Sequence, residues 1–178
     1  MNLVAAAPTW LIALLAASLA AAAIEDSIRL RISNATCLAV LIAAIIAMAL
    51  QGFPFALWQN VVVFLVLLVV GTLVFAIGKV GGGDVKLLAC LGLWVNLSSA
   101  PWLIATIFLA GGLIAFVYLA VGVVRRSRRP DHGKRLGQTQ IPYGLAIVAG
   151  AALVFAGQLG VIAPKHERPN PLDLRAPV

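Results

Sequence analysis

Acidic side chains are scarce in this chain, which makes their placement informative. There are six among 178 residues: Glu25, Asp26, Asp84, Asp131, Glu167 and Asp173. Glu167 and Asp173 fall in a proline-rich C-terminal stretch, and Asp131 falls in a strongly basic one. Glu25, Asp26 and Asp84 stand at the edges of long apolar runs. Two carboxylates that meet cannot easily both ionise, so they share a proton and titrate in two separated steps. The ionised member can take a proton from water as the water attacks a carbonyl, while the protonated member donates to the carbonyl oxygen. This is acid–base hydrolysis of a peptide bond, and it needs no metal or cofactor. The other candidate donors point nowhere: Cys37 and Cys90 lie in apolar stretches and read as packing residues, no CxxC pair exists, and His132 and His166 are isolated in polar segments. No zinc site, disulfide framework or cofactor site is suggested.

Asp26 and Asp84 are far apart in sequence, so the elements that carry them must bring them together. The chain is 62% hydrophobic and 11% charged, where a soluble domain is about half apolar and about a quarter charged. A bilayer is the solvent that accommodates this surplus. Apolar segments are legible at 4–24, 35–50, 58–77, 85–97, 102–124 and 141–163. The expected fold is therefore all-α: a polytopic membrane protein with six transmembrane helices over residues 1–163, followed by an irregular polar tail over 164–178. The first, third, fifth and sixth segments reach the roughly 20 residues that a span requires. The second and fourth are short, and are expected to extend into flanking residues or to lie where neighbours shield their ends. Residues 1–24 contain no Lys or Arg, so the first segment reads as a retained helix rather than a signal peptide.

Charge sets the expected orientation. Arg29, Arg31, Lys79, Lys86, Arg125, Arg126, Arg128, Arg129, Lys134 and Arg135 fall on one side of a six-span arrangement, and Lys165, Arg168 and Arg175 fall on the other. The positive-inside rule places the larger group in the cytoplasm, with both termini outside a plasma (inner) membrane. The weak fourth segment must cross for this asymmetry to hold. Parity then puts Asp26 at the cytoplasmic end of the first helix and Asp84 at the cytoplasmic start of the fourth, at similar depth. The formal charge of +7 is thus a topological signal. No basic face interleaved with aromatics marks nucleic acid as a partner. Trp10, Trp58, Trp94 and Trp102 near segment ends read as interfacial anchors, and Gly111 and Gly112 as sites of close helix packing.

Around Asp84 the run Gly81-Gly82-Gly83 offers a backbone without Cβ atoms, free to visit φ > 0 and open to close approach of a substrate strand. Gly81 and Gly83 are therefore candidate substrate-approach residues. The plainer account is a flexible loop with Asp84 as helix N-cap, and for Asp26 a boundary carboxylate paired with Arg29. Lys86 reads as a snorkelling interfacial lysine or as a contact to Asp84 or substrate. Glu25 lies about 100° around the helix from Asp26, and Glu25→Gln is expected to keep substantial activity.

Three patches tip this balance. Gly81-x-Gly83-Asp84 followed by Val85-Lys86-Leu87 resembles the GxGD motif of the type IV prepilin peptidases. Asp26-Ser-Ile-Arg-Leu-Arg31-Ile32-Ser33-Asn34 is similar to that family's first-aspartate segment, with Ser33 where proline is usual. Ile141-Pro142-Tyr143-Gly144 is similar to the family's IPYG stretch at the start of the last helix. The resemblance implies that Asp26 and Asp84 are a catalytic pair and that the substrate is a prepilin leader, cleaved at the cytoplasmic face. The paired CxxC region of the bifunctional, methylating members has no counterpart in this sequence, so the chain resembles the short form associated with Flp/Tad-type pilus assembly. Two other classes compete: a small transporter with ion-binding boundary aspartates, and a non-catalytic subunit of a pilus or secretion assembly. Neither matched interrupted helices nor a mid-membrane acid favours the transporter. Oligomeric state is not legible.

Overall fold

The computed structural model describes residues 2–52, 55–78, 80–128 and 143–160, and every regular element among them is a helix. The expected tail at 164–178, the boundary at 163, Lys79, the basic stretch from Arg129 and Ile141-Pro142 lie outside the described residues.

Pro8 divides the first apolar segment. Proline disfavours helical backbone in the residue before it, and Ala7 is extended (φ −76°, ψ 147°), so a short helix α1 (Leu3–Ala6) ends there and α2 (Thr9–Arg29) begins after Pro8. The helix runs past Ile24 to Arg29, which places Asp26 within its last turn rather than at its end. It stops at Leu30, a non-glycine residue in the left-handed region (φ 52°) whose N–H donates to the Asp26 carbonyl at 2.9 Å. Next comes α3 (Asn34–Leu50), capped by Ser33. A single 3-10 turn (Phe55–Leu57) leads into α4 (Trp58–Ala76). The bundle is completed by α5 (Gly82–Gly92), α6 (Ala100–Arg128) and α7 (Tyr143–Gln158).

Among the described residues, three stretches are long and apolar enough to cross a membrane: Thr9–Arg29, Phe55–Ala76 and Ala100–Val121. Two more, α3 and α7, are shorter apolar helices. The expected all-helical class is met, and the second and fourth segments form short helices as expected; the sixth segment also gives a helix shorter than a span. The shortest helix of the site, α5, has 11 residues, about 16 Å of rise against a hydrocarbon core of about 30 Å. It is shielded rather than lipid-exposed. Val85, Leu87, Ala89, Cys90 and Leu91 are buried, and so are Leu93, Trp94 and Val95 in the turns that follow. Trp94 corrects its reading as an interfacial anchor: it is fully buried, with Nε1 donating to the Val40 carbonyl at 3.4 Å. Buried Asn60 of α4 donates from Nδ2 to the Leu93 carbonyl at 2.8 Å, supplying a partner for backbone beyond the end of α5. Trp10, Trp58 and Trp102 are exposed as expected of anchors.

Small residues set the helix spacing, as they do where lipid removes the hydrophobic drive between helices. A Cβ on Gly71 of α4 would come within 2.7 Å of Val85, and one on Gly150 of α7 within 2.6 Å of the Ile107 backbone in α6. Gly150, and not the Gly111–Gly112 pair, marks the tight crossing: a Cβ on Gly111 would make ordinary contact with Ala146, and one on Gly112 would touch nothing. Side chains such as Leu65, Val69 and Leu73 of α4 and Phe108, Leu109 and Phe116 of α6 face outward, a surface suited to acyl chains.

At one end of the bundle the α2–α3 turn, the α4–α5 turn and the start of α7 converge, because Ile32 abuts both Gly83 and Gly144. At the other, Gln51 Nε2 donates to the Ala6 carbonyl at 2.7 Å, and α1 packs against α3 and α7. From α2 onward, consecutive helices therefore alternate in direction.

Candidate active site

The two aspartates are built into this converging end by different local means. Asp26 comes from the last turn of a long helix and is 4% exposed. Its Oδ2 accepts the Leu145 N–H at 3.0 Å. Leu145 belongs to the first turn of α7, where backbone donors lack helical partners and the helix dipole favours a carboxylate. Gly144 makes the approach possible: a Cβ there would stand 2.8 Å from Asp26 Cγ and 2.8 Å from Ile32 Cδ1. Asp26 is held by α7, then, and not by the neighbouring Arg29 that the plainer account proposed.

Asp84 is the third residue of α5 and is 9% exposed. Gly81, with extended backbone, is the N-cap, so the reading of Asp84 as N-cap is corrected. The glycine run also works differently from expectation. Gly81 has φ −69°, and Gly82 and Gly83 are helical; the left-handed glycine of this turn is Gly78, at φ 76°. What Gly81 and Gly83 supply is room. A Cβ on Gly81 would lie 2.8 Å from Asp84 Oδ2, and one on Gly83 would lie 2.9 Å from the Ile32 carbonyl oxygen. Cys37 Sγ donates to the Gly83 carbonyl at 3.7 Å. Lys86 is turned away to the start of α3, its Nζ donating to Asn34 Oδ1 at 2.9 Å.

A cleft of about 340 Å³ opens here, lined by Leu30, Arg31, Ile32, Gly81, Gly82, Gly83 and Asp84. Asp84 precedes the apolar run that starts at Val85. Burial, joined by the nearby Asp26 carboxylate and opposed by the Gly81 backbone N–H, pushes its carboxyl up to about 6. Ile32 links the two carboxylates, abutting Gly83 beside Asp84 and Gly144 against Asp26. No trio of His, Cys, Asp or Glu able to hold a metal ion occurs among the described residues.

Sequence reasoning singled out the aspartates but missed two features around them: the Leu145 N–H on Asp26 and the wedge made by Ile32. The IPYG stretch flagged the first. Ile32 carried no chemical signal of its own.

Fold and site together define a class: a membrane-type protein, helical throughout its described residues, with two buried aspartates at one end of its bundle. Residues 13–124, more than half of the chain, match the type IV leader peptidase family. The chain belongs to that family, which implies peptidase activity on prepilins. The matched stretch contains Asp26 and Asp84 and stops before α7. No curated protein and no solved structure matches the chain.

Proposed function

We propose that this chain is a membrane-embedded aspartic endopeptidase that uses Asp26 and Asp84 to cleave the leader peptide of Flp/Tad-type prepilins at the cytoplasmic face. The observation that carries the reading is the burial of both carboxylates at one end of the bundle, where Ile32 abuts Gly83 beside Asp84 and Gly144 against Asp26. With Asp84 the reluctant one to ionise, the shared proton rests on it. Asp26 then takes the proton of the attacking water, and Asp84 donates to the carbonyl oxygen of the scissile bond. The cleft beside Gly81 and Gly83 is where an extended leader segment lies, its backbone close to residues that carry no side chain.

The six-crossing topology belongs to the same proposal. It is supported by the alternation of helix direction and by the placement of Arg29, Arg31 and Lys86 at the site end. The shielding of α5 explains how a short helix occupies a crossing position. Co-expression with a prepilin, with precursor and mature bands scored on a gel, tests the chemistry. Asp26→Asn and Asp84→Asn should each leave only precursor while the protein remains inserted. Full processing by either variant rejects the pair. Orientation is tested by a cysteine at Ser127, which should resist an impermeant reagent applied to intact cells.

A further inference from the structure

Glu25 adjoins Asp26 in sequence but is engaged elsewhere. Its Oε2 accepts the Ser33 N–H at 2.8 Å and the Thr36 hydroxyl at 3.0 Å. Since the Thr36 proton is used there, the Ser33 hydroxyl donates to Thr36 Oγ1 at 2.9 Å, and Ser33 Oγ in turn accepts the Thr36 N–H at 3.2 Å. These bonds tie the last turn of α2 to the first turn of α3 across residues 30–33. The turn they enclose contains Leu30 in its left-handed conformation, which costs a non-glycine residue about 1–2 kcal/mol and persists where surrounding structure enforces it. The same turn carries Ile32. Its carbonyl oxygen faces Gly83, next to Asp84, and its Cδ1 faces Gly144, next to the N–H that holds Asp26. A shift of the turn therefore moves both carboxylates.

We infer that Glu25 is a positioning residue for the catalytic pair: a carboxylate clamp that fixes the α2–α3 turn and, through Ile32, sets the placement of Asp26 relative to Asp84. The inference rests on the reading of that pair as catalytic. The clamp works as a hydrogen-bond acceptor and moves no proton, so an amide oxygen can replace the carboxylate. Ser33 has φ −72° and ψ 149°, a conformation open to proline. Ser33→Pro therefore deletes the N–H donor, together with the hydroxyl that caps α3, while keeping the backbone angles of residue 33.

The test uses the full chain, purified in detergent, and a purified prepilin. Glu25→Ala should lower kcat by about ten- to a hundredfold, the scale of an ångström misplacement, with KM within about twofold. Glu25→Gln should keep at least about a third of kcat, because the acceptor remains. Thr36→Val, which removes one of the two bonds, should cost roughly three- to tenfold. A readout independent of cleavage is alkylation of buried Cys37 by N-ethylmaleimide in a Cys90→Ala chain. Cys37 lies in the first turn of α3 and donates to Gly83, so loosening that turn with Glu25→Ala should speed alkylation about tenfold or more. Wild-type kcat and wild-type alkylation in Glu25→Ala overturn the inference. Equal losses in the Ala and Gln variants also overturn it, because charge rather than acceptance would then be responsible. Should Glu25→Ala not insert, Thr36→Val and Ser33→Pro carry both measurements, and no change in either variant rejects the clamp. If Asp26→Asn or Asp84→Asn processes prepilin while Glu25→Ala still exposes Cys37, the catalytic pair fails and the clamp stands.

Discussion

The helices that bear the two aspartates are opposites. The one carrying Asp26, α2, is a membrane-length helix, and its carboxylate is held from outside by the first turn of α7. The one carrying Asp84, α5, is half as long and buried along much of its surface, and its carboxylate is enclosed by its own glycine-rich approach. A long helix solvated by lipid can fix its own axis but does little to define a polar atom near its end. A short helix wrapped by neighbours has its position fixed by them, and glycines let those neighbours come close. The site thus joins one carboxylate positioned by a hydrogen bond with another positioned by packing.

The strongest challenge to this comparison is to remove both carboxylates. The double variant Asp26→Asn/Asp84→Asn should be no more defective in single-turnover cleavage than either single variant, because the groups act as one unit. Additive losses would separate their roles. Next in size is Gly144→Ala, whose Cβ would press on Asp26 Cγ and Ile32; it should reduce kcat by about ten- to a hundredfold. Gly112→Ala, which meets open space, should stay within about twofold of wild type. A smaller and graded effect is expected of pH. With the Asp84 carboxyl pushed up to about 6 and required in its protonated form, kcat/KM should fall by about tenfold per unit as pH rises above that value. A profile flat from pH 6 to 8 would contradict the assignment of the proton to Asp84. The packed side of the comparison is probed by Asn60→Leu. Removing the donor to the Leu93 carbonyl should destabilise the fold by about 1–3 kcal/mol, read as a lowered midpoint of thermal unfolding in detergent, with KM unchanged.

Asp26 and Asp84 were legible because acids are rare in an apolar chain and because basic residues fix the parity of the segments. Their depth at one end followed from counting crossings. The length of α5 was not legible, since Leu91, Trp94 and Val95 have the same composition whether they face lipid or protein. Trp94 is an example: position near a segment end suggested an anchor, yet its ring is fully buried. The work of the glycines was visible only in part. Their absence of Cβ atoms was plain, but whether it serves a left-handed turn or a close neighbour depends on Ile32, which arrives from another part of the chain. Glu25 shows the limit from the other side. Its angular offset from Asp26 set the two carboxylates apart, but nothing local disclosed that the chain folds back after Leu30 to meet Glu25.

The hydrogen bond from Leu145 to Asp26 also has a consequence for biosynthesis. Both aspartates leave the ribosome well before α7 does. At about 5–20 residues per second, the interval between Asp84 and Leu145 lasts roughly 3–12 s. Throughout that interval the nascent chain contains the reactive carboxylates without the donor that seats one of them. In the proposed mechanism, assembly of the bundle thus acts as a timing device: proteolytic competence waits for α7 to supply that donor.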